Sequence, residues 1–447
     1  MRIEEKTMER RVTFYEETNF KTTEIGEIPA DWEVVKLGEL YSEVTKDRQV
    51  YLEDDKEYKQ VTVALYANGL RLRRVALGRD IAVKKQYLIR TGDLIFSKID
   101  ARNGAYGFVN ECLDGAIVSG DFPILEMKGH SCDEYFLWYY LKIDKNWHKF
   151  RNLAIGTTNR KRIQAKEFMN NLLVPLPPLE EQKAIAYVLS TVQEALEKTE
   201  KVIEATKELK KSLMKHLFTY GPVSLEEASR ISLKETEIGE IPADWEVVKL
   251  GEVALRMKAG GTPHTAVKEF WNGDIPFVLI EDMTGQGVFL SKTKRMITQE
   301  GLRNSSAWLV PANSLLVSMY ATIGETAINL IPVATNQAII AIVPRENFDV
   351  LYGAYFIKYD SRRLQMQNIQ STQKNVNRAI VENFSIPLPP LSVQKRIAEI
   401  LQTVDEKTQA EEKKKQALDN LFNSMLHMLM SGKLRVKFQT FEEGASG

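Results

Sequence analysis

Two long stretches without a helix-breaking residue constrain this chain more than any other feature. Glu180–Tyr220 and Leu391–Ser431 contain neither proline nor glycine, and as helices of about 40 residues they would each span roughly 60 Å. Each follows a Pro-Leu-Pro-Pro-Leu run and ends at a glycine, Gly221 or Gly432. Proline is tolerated in the first turn of a helix, and glycine commonly ends one. The sequence therefore predicts two exceptionally long helices.

Apolar residues recur at spacings of mostly three and four along the first stretch. They also recur in the second stretch, although its middle, Glu406–Gln416, is mostly charged. This pattern is typical of a helix that buries one narrow face against a partner helix. Left alone in water, such a stripe would stay exposed and the helix would be marginal, so we expect the two helices to pair. The predicted coiled-coil seam consists of Ile185, Leu189, Val192, Leu196, Ile203, Leu209, Leu213, Leu217, Ile397, Leu401, Val404, Leu418, Leu421, Met425 and Leu429.

An internal repeat shows that the chain uses one module twice. Residues 23–39 and 236–252 both read TEIGEIPADWEVVKLGE, and a globular stretch, the proline run and a long helix follow each copy. Repeats of this kind determine the architecture. We predict an α+β fold in which two mixed α/β domains, related by a pseudo-twofold axis, are separated by two long helices that form an antiparallel coiled coil.

The predicted boundaries follow from the repeat. They give a charged N-terminal tail (1–22), domain 1 (23–178), the first long helix (179–221), a connector (222–235), domain 2 (236–390), the second long helix (391–432) and a C-terminal tail (433–447). Residues 88–97 and 309–318 align between the domains as a turn that leads into a buried strand. An aromatic helix is predicted further on in each domain, over 135–150 and 351–366.

Composition narrows the class of protein. The chain has 447 residues, with 60 Lys+Arg against 60 Asp+Glu, so any nucleic-acid site must be local rather than a property of the net charge. Its two cysteines are too few for a disulfide framework. No stretch is apolar over the length that a bilayer requires. We expect a cytoplasmic protein without a membrane partner.

A stiff spacer between two domains suits the recognition of two separate sites on double-stranded DNA. Arg71 and Arg73 alternate with Leu70 and Leu72, so one strand face would present guanidinium groups while the other packs inwards. The pair Gly260-Gly261 allows close backbone approach, either to DNA or simply within a tight turn. Basic groups contact phosphates, while Arg, Asn and Gln read base edges.

On these grounds the candidate DNA-binding residues fall into four groups. They are Arg71, Arg73, Arg74, Lys98, Arg102 and Asn103; Arg160 and Lys161; Gly260, Gly261, Thr262, Lys292, Lys294, Arg295, Tyr320, Asn336 and Gln337; and Gln373, Lys374 and Asn375. For each of them, a solvated surface position is the alternative.

Signals for catalysis are weak. The chain has neither a phosphate-binding Gly-x-x-x-x-Gly-Lys-Ser/Thr loop nor a dinucleotide-type glycine fingerprint, and its five histidines are scattered. Asp121, Glu126 and Lys128, with Asp93 upstream, are the one grouping similar to the magnesium-binding residues of nucleases. A magnesium-dependent nuclease is therefore one alternative function. The other is a coiled-coil adaptor that links proteins without binding DNA.

Several motifs together carry a family resemblance. They are Ile25-Gly26-Glu27-Ile28-Pro29-Ala30-Asp31-Trp32 and its second copy, the proline runs before Glu181-Gln182 and Val393-Gln394, Gly260-Gly261-Thr262-Pro263 with Phe270-Trp271, and Thr372-Gln373-Lys374-Asn375. Over nearly its whole length the chain resembles the DNA-specificity subunits of type I restriction-modification systems. Domain 1 departs from the last motif, since residues 156–160 read GTTNR.

The resemblance implies a division of labour. Each domain would be a target-recognition domain that reads one half of a split, asymmetric DNA site, and the coiled coil would set the spacer and dock two modification (methyltransferase) subunits. Those partners would bind S-adenosylmethionine and methylate adenine, while restriction subunits would bring ATP-driven, Mg²⁺-dependent translocation and cleavage. This chain would be non-catalytic, with no metal or cofactor of its own.

Overall fold

The computed structural model describes residues 11–148, 150, 162–285, 287–366 and 376–439. The chain divides into two compact units. Unit 1 takes the described residues up to Lys198 and again from Lys415 onwards, whereas unit 2 takes Thr199–Lys414. Because each long helix belongs partly to both, the units are described one at a time.

The strands and helices follow the chain in this order. The strands are β1 (Val12–Glu16), β2 (Phe20–Thr23), β3 (Gly26–Pro29), β4 (Glu33–Lys36), β5 (Tyr41–Glu43), β6 (Gln49–Tyr51), β7 (Glu57–Val63), β8 (Leu70–Leu77), β9 (Lys85–Leu88), β10 (Leu94–Phe96), β11 (Tyr106–Phe108), β12 (Ile117–Val118), β13 (Ile124–Met127), β14 (Leu173–Leu176), β15 (Leu233–Thr236), β16 (Gly239–Pro242), β17 (Glu246–Lys249), β18 (Ala254–Ala259), β19 (Trp271–Val278), β20 (Phe289–Leu290), β21 (Arg295–Ile297), β22 (Ser314–Ser318), β23 (Thr326–Asn329), β24 (Ala334–Thr335), β25 (Ile339–Pro344), β26 (Ser385–Leu388) and β27 (Leu434–Phe438). The α-helices are α1 (Leu37–Leu40), α2 (Glu134–Lys142), α3 (Asp144–His148), α4 (Ala165–Asn171), α5 (Leu179–Tyr220), α6 (Leu225–Ala228), α7 (Ile280–Gly285), α8 (Gln299–Arg303), α9 (Val350–Tyr359), α10 (Ser361–Met366), α11 (Arg378–Glu382) and α12 (Leu391–Met430).

Unit 1 contains two main sheets, a four-stranded one in the order β11-β10-β13-β5 and a five-stranded one in the order β6-β9-β12-β7-β8. The predicted buried strand is β10, whose three residues are buried. Its Phe96 ring stacks on Phe168 of α4 at 4.1 Å. The same core includes Ile185 and Leu189 from α5 and Leu429 from α12, so both long helices are anchored in it.

Unit 2 repeats this plan with a different main sheet, in the order β18-β25-β22-β23-β20, and a second sheet β21-β19-β24. The predicted buried strand is β22, buried over all five residues. Its core includes Leu217 and Phe218 from the end of α5, together with Ile397 and Leu401 from the start of α12. We call the repeated segment at residues 23–39 and 236–252 the leader. The strands β4 and β14 in unit 1, and β17 and β26 in unit 2, pair each leader with the proline run that follows it in the chain.

The two long helices run antiparallel. Within unit 1 the start of α5 shares a core with the end of α12, and within unit 2 the end of α5 shares one with the start of α12. Inside unit 2, Lys207 and Lys210 of α5 form ion pairs with Glu412 and Asp405 of α12. The predicted α+β fold with two mixed domains and an antiparallel coiled coil is confirmed.

Both helices keep a strict heptad in their seam. In each helix, a continuous series of buried or half-buried positions alternates at four and three residues. In α5 they are Ile185, Leu189, Val192, Leu196, Thr199, Ile203, Thr206, Lys210, Leu213 and Leu217. In α12 they are Ile397, Leu401, Val404, Thr408, Glu411, Lys415, Leu418, Phe422, Met425 and Leu429.

Two predicted seam residues are wrong. Leu209 is 52 % exposed and Leu421 is 46 % exposed, and the seam passes through their neighbours Lys210 and Phe422 instead. The heptad decides which residue faces inwards, and Lys210 is accommodated there because Asp405 neutralises it at 2.6 Å. The other predicted seam residues are buried or half-buried.

Matched glutamines tie the first turn of each long helix to its own domain. Gln182 accepts from the backbone N–H of Asp133 at 2.7 Å and donates to the carbonyl oxygen of Pro177 at 2.8 Å. Gln394 does the same with Asp349 and Pro389. Asp133 and Asp349 in turn cap α2 and α9. Both glutamines are fully buried, so a buried polar network sets the angle at which each helix leaves its domain.

Unit 2 joins its domain to the coiled coil through a lysine on α5. Lys210 Nζ lies 2.6 Å from Asp405 Oδ1, and the Tyr355 hydroxyl of α9 donates to Asp405 Oδ2 at 2.9 Å. Lys210 also lies over the Tyr355 ring, 5.0 Å from its centroid. One ion pair thus connects both long helices to the aromatic helix of domain 2.

Unit 1 makes the matching joint with a lysine on the domain instead. Lys142 of α2 donates to Gln193 of α5 at 3.1 Å and lies 5.8 Å from the ring centroid of Phe422 on α12. Burial lowers the pKa of Lys142. Because the long helices begin at Leu179 and Leu391, 212 residues apart, Gln193 matches Asp405 and Lys210 matches Phe422. The two joints occupy the same positions with different chemistry.

The aromatic helix predicted in each domain is two shorter helices. The segment 135–150 contains α2 and α3, separated at Ile143, and the segment 351–366 contains α9 and α10, separated at Asp360. The single-helix prediction therefore missed one break in each domain. The long helices, by contrast, end where predicted, since Gly221 and Gly432 adopt φ of +86° and +69°.

The predicted tails and connector contain regular structure. Val12–Glu16 (β1) and Leu434–Phe438 (β27) pair antiparallel, and the connector holds α6 and the start of β15. Arg435 of β27 is 5 % exposed and contacts Glu17, Asp31 and Glu181 at 2.5–2.8 Å. The tail assignment fails because the partner of each strand lies at the far end of the sequence, where no local pattern reveals it.

Candidate nucleic-acid interface

The hairpin of β7 and β8 carries the predicted arginines of domain 1. β8 is an edge strand, and Arg71, Arg73 and Arg74 are all exposed. A bulge changes the predicted alternation, because Gln60 pairs with Arg74 while the adjacent Val61 pairs with Leu72. Arg73 is the extra residue, so Arg71 and Arg74 share a face, and Leu72 is 49 % exposed rather than packed inwards.

Bulges of this type are frequent at sheet edges and next to functional sites, where they re-aim side chains. Arg74 Nε donates to Gln60 Oε1 at 2.8 Å, which holds its guanidinium over the sheet. The side chains of Arg71 and Arg73 form no hydrogen bond or ion pair with another described residue, and both are exposed. Two guanidinium groups on this edge are therefore open to an anionic partner.

The loop after β10 brings Lys98, Arg102 and Asn103 close to the same hairpin. Lys98 Nζ donates to the carbonyl oxygen of Gly120 at 2.8 Å, so this half-buried lysine holds two loops together. The backbone carbonyl of Asn103 accepts from the N–H of Tyr66 at 2.8 Å. Asn103 thus contacts the hairpin tip through its backbone, and Arg102 is its neighbour in the chain. Lys98 connects the same loop to Gly120.

Gly260 and Gly261 are required by packing within domain 2. A Cβ on Gly260 would lie 1.9 Å from the carbonyl oxygen of Thr335, and one on Gly261 would lie 2.8 Å from the backbone nitrogen of Ala307. The close approach that glycine permits is therefore to the protein itself, which favours the tight-turn interpretation of this motif. The turn presents Thr262, whose hydroxyl donates to Gln337 Oε1 at 2.7 Å.

The remaining candidates in domain 2 have mixed surroundings. Lys294 pairs with Glu281 at 2.9 Å, and the guanidinium of Arg295 lies 5.8 Å from the ring centroid of Trp271. Lys292 is exposed, whereas Tyr320 and Asn336 are half-buried. The side chain of Asn336 accepts from the N–H of Ala338 at 3.1 Å. Lys292 and Arg295, like Lys294, are exposed.

Five predicted DNA-binding residues lie outside the described residues. They are Arg160, Lys161, Gln373, Lys374 and Asn375. Two exposed residues that the sequence prediction missed are Tyr66, at the tip of the β7–β8 hairpin, and Arg256, on the edge strand β18. The alternation Leu255-Arg256-Met257-Lys258 could have indicated the second one, whereas no local pattern marks Tyr66.

The structure does not gather Asp121, Glu126 and Lys128 of the nuclease alternative into one site, although Asp93 and Glu126 share Arg48 as an ion-pair partner. Glu126 pairs with Arg48 at 2.6 Å, Asp121 pairs with Arg162 at 3.1 Å, and Lys128 donates to the carbonyl oxygen of Gly38 at 2.6 Å. Burial raises the pKa of Asp93, although a carboxylate must be deprotonated to bind a metal. Within the described ranges there is no group of three or more His, Cys, Asp or Glu arranged to hold a metal ion.

No helix in the described part of the chain is both long enough and apolar enough to cross a bilayer. The long helices carry a narrow apolar seam and are otherwise charged, as expected for helices that pair with each other in water.

Comparison with known proteins identifies the repeated module. Residues 29–206 and 242–420 each match the type I restriction modification DNA specificity domain. The chain is 27 % identical over 441 residues to the type I restriction enzyme MjaVIII specificity subunit of Methanocaldococcus jannaschii, covering 96 % of this chain and 99 % of that protein. It is 22 % identical over 469 residues to the HindI specificity subunit of Haemophilus influenzae, covering 91 % and 100 %.

Solved structures agree on the fold. The S subunit of a type I restriction-modification system from M. genitalium superposes with a TM-score of 0.57 at 15 % identity, covering 92 % of this chain and 97 % of that one. Two specificity domains that together span well over half of the sequence, set on the antiparallel helices described above, lead to one conclusion. The chain belongs to the family of type I restriction-modification DNA-specificity subunits.

Proposed function

We propose that this chain is the non-catalytic subunit that gives a type I restriction-modification complex its DNA sequence specificity. Each domain reads one half of a split, asymmetric site. The observation that carries the proposal is the presence of two DNA specificity domains whose cores are each built around one end of the same helix pair. A rigid attachment at both ends is what a molecular ruler needs.

The two domains present different surfaces, which supports an asymmetric target. Domain 1 offers a bulged edge strand with three exposed arginines. Domain 2 offers Lys292, Arg295 and the basic edge strand β18, where Arg256 lies 4.3 Å from the ring centroid of Trp308. Unlike sets of donors read unlike bases, so the two half-sites differ in sequence.

The chemistry of modification and cleavage resides on partners. Two modification subunits dock on the coiled coil, bind S-adenosylmethionine and methylate adenine, and restriction subunits use ATP and Mg²⁺ to translocate and cut DNA. The complex acts in the cytoplasm. Both the division of labour and the names of the relatives, which are specificity subunits, favour this assignment over an enzyme.

Changing the length of the helices tests the ruler. One heptad inserted in phase into both α5 and α12 adds roughly 10 Å, equivalent to about three base pairs at about 3.4 Å each. Half-sites selected from a random duplex pool by this variant should lie about three base pairs further apart than those selected by the wild-type chain.

The control is an insertion into α5 alone, which misaligns the seam and should abolish selection of paired half-sites. An unchanged preferred spacing in the double insertion would contradict the ruler. Retention of duplex DNA that weakens steeply as salt rises, as phosphate contacts require, would exclude the adaptor that does not bind DNA.

A further inference from the structure

We propose that domain 1 engages duplex DNA through the tip of the β7–β8 hairpin, with the Tyr66 ring placed against the base pairs of the half-site and the β8 arginines on the adjoining phosphates. This inference rests on the proposed function and names an aromatic reading element within it. Four observations on the hairpin carry it.

The first observation is a strained backbone at the tip. Tyr66 and Ala67 have φ of +60° and +51°, a left-handed conformation in which the Cβ of a residue other than glycine crowds the following carbonyl oxygen. Two adjacent residues of this kind need support from the surrounding structure. Strain of this kind concentrates at functional sites, where it places a side chain that ordinary turns would not.

The second observation is that the tip is firmly held. The N–H groups of Tyr66 and Ala67 donate to the carbonyl oxygens of Asn103 and Gly104, both at 2.8 Å, and Ala67 is only 4 % exposed. At the base of the loop, a Cβ on Gly107 would lie 2.6 Å from the Cα of Gly69. The backbone is therefore clamped onto the domain.

The third observation is that this clamped loop holds its largest side chain out in solvent. The Tyr66 ring is 65 % exposed although it leans on Trp147 with centroids 6.0 Å apart, and the neighbouring Leu65 is 39 % exposed. The backbone is buried while the aromatic ring is displayed, the reverse of a loop whose purpose is to fill the core.

The fourth observation is the charge along the hairpin. Towards the tip, β8 presents Arg71, Arg73 and Arg74. The opposite end is acidic, with Asp54 and Asp55 exposed and already neutralised by Lys84 and Arg79. Because the charges at that end are paired, the uncompensated positive charge lies towards the tip, which is the end of the hairpin that attracts a polyanion.

Together these features match a known way of gripping duplex DNA. Apolar or aromatic wedges enter at a base step and partly unstack it, while arginines on the same element bind the backbone and keep the wedge in place. Tyr66 and Leu65 supply the wedge, and Arg71 and Arg73 supply open guanidinium groups a few residues away. Asn103 lies beside them to donate to a base or sugar.

The full-length chain can test this with duplexes that the wild type selects from a random pool. Tyr66→Ala should weaken binding roughly tenfold or more, the scale of one lost base–aromatic contact, and should relax sequence preference in one half-site only. Tyr66→Phe should bind as the wild type does. The matched control is Tyr51→Ala, because Tyr51 is 69 % exposed on β6, at the opposite edge of the same sheet; its affinity should stay within about twofold, as expected for a surface side chain outside the interface.

A spectroscopic readout separates a wedge from an incidental contact. With 2-aminopurine in place of adenine in the domain 1 half-site, wild-type binding should raise the fluorescence as the base unstacks, and Tyr66→Ala should suppress that rise at saturating protein. Thermal unfolding of Tyr66→Ala should match the wild type because the ring is mostly exposed.

Equal affinities for the Tyr66→Ala and Tyr51→Ala variants would overturn the inference, and so would an unchanged fluorescence rise with Tyr66→Ala. The proposed function would still stand in either case, provided that the wild-type chain selects a split site. A Tyr66→Ala variant that binds DNA normally but loses a protein partner would also overturn it. A wild-type chain that selects no split site would contradict the proposed function itself, and the inference would fall with it.

Discussion

Arg435 binds three carboxylates of unit 1 at once. Its guanidinium bonds Glu17, Asp31 and Glu181, which come from the start of the chain, the leader and the first turn of α5. The ring of Trp32 lies 5.6 Å away, and the Trp32 indole also donates to Glu181. A guanidinium suits this role since its five N–H donors form a planar fork that binds carboxylates in pairs.

Replacing Arg435 by methionine should destabilise unit 1 by about 3–5 kcal/mol, because Glu181 would remain buried without its cation. The measurement is the first transition in chemical denaturation of the full-length protein. Lys437→Met is the control, since Lys437 is exposed on the same strand and its loss should cost less than about 0.5 kcal/mol. Equal effects of the two substitutions would contradict the buried ion-pair account.

The same variant should change how stability depends on pH. Hydrogen bonding to Arg435 holds the pKa of Asp31 below its ordinary value. A carboxyl group with a lowered folded-state pKa stabilises the fold above its unfolded pKa of about 4 and loses that contribution as the pH falls through the folded-state value. The stability difference between wild type and Arg435→Met should therefore shrink below about pH 4; a constant difference would argue against ionisation as its source.

At the scale of elements, the long helices show what periodicity can and cannot predict. The absence of helix breakers and the recurring apolar residues were enough to predict α5, α12 and their pairing. Hydrophobicity predicted that Leu209 faces the seam, but its neighbour Lys210 does so instead. Lys210 can face inwards because it contacts Asp405 and Tyr355, which lie far away in sequence. The bulge at Arg73 escaped prediction for the same reason, since it depends on the register with β7.

Two leucines of one helix test the seam. Leu217→Ala should destabilise unit 2 by about 2–5 kcal/mol, because Leu217 is 2 % exposed in the core. Leu209→Ala should change the free energy of unfolding by less than about 0.5 kcal/mol, as its side chain is 52 % exposed. Chemical denaturation of both variants measures the difference. A Leu209→Ala cost as large as that of Leu217→Ala would show that the seam follows hydrophobicity rather than the heptad.

At the scale of the whole molecule, the repeat predicted that one module is used twice. The structure shows, within each module, where the segments that both halves share end and where the differing sheets begin. In unit 1, β4 of the leader pairs with β14, which includes the first two residues of the proline run. Gln182 fixes the start of α5. These contacts belong to the frame, which the two halves share, whereas the sheets between them differ. The β1–β27 pairing could not be predicted because its partners span the entire chain, and the DNA contacts of residues 160–161 and 373–375 remain predictions.

Exchanging residues 41–172 for the corresponding segment of another family member should change one half-site and leave the other half-site and the spacing unaltered. The cut points keep β4, β14 and the hydrogen bond from Gln182 to Pro177 in place. The incoming segment must supply the backbone N–H that Asp133 now donates to Gln182. Selection from random duplexes reads out both half-sites at once. Loss of both preferences would show that the domains do not read independently.

The different contacts of Lys210 in unit 2 and of Lys142 in unit 1 have a consequence for recombination within the gene. Recombination between the two identical leader copies would delete one leader, domain and helix. The resulting half-length chain would have one long helix and could restore a helix pair by associating with a second copy. In such a pair, Phe422 of the other copy would take the place of Lys210 opposite Asp405. The half-buried carboxylate of Asp405 would then lose its cation. The two joints, Lys210 with Asp405 in unit 2 and Lys142 with Gln193 and Phe422 in unit 1, therefore differ in a way that destabilises a dimer of half-length chains. The repeated leader would otherwise make such a chain easy to produce.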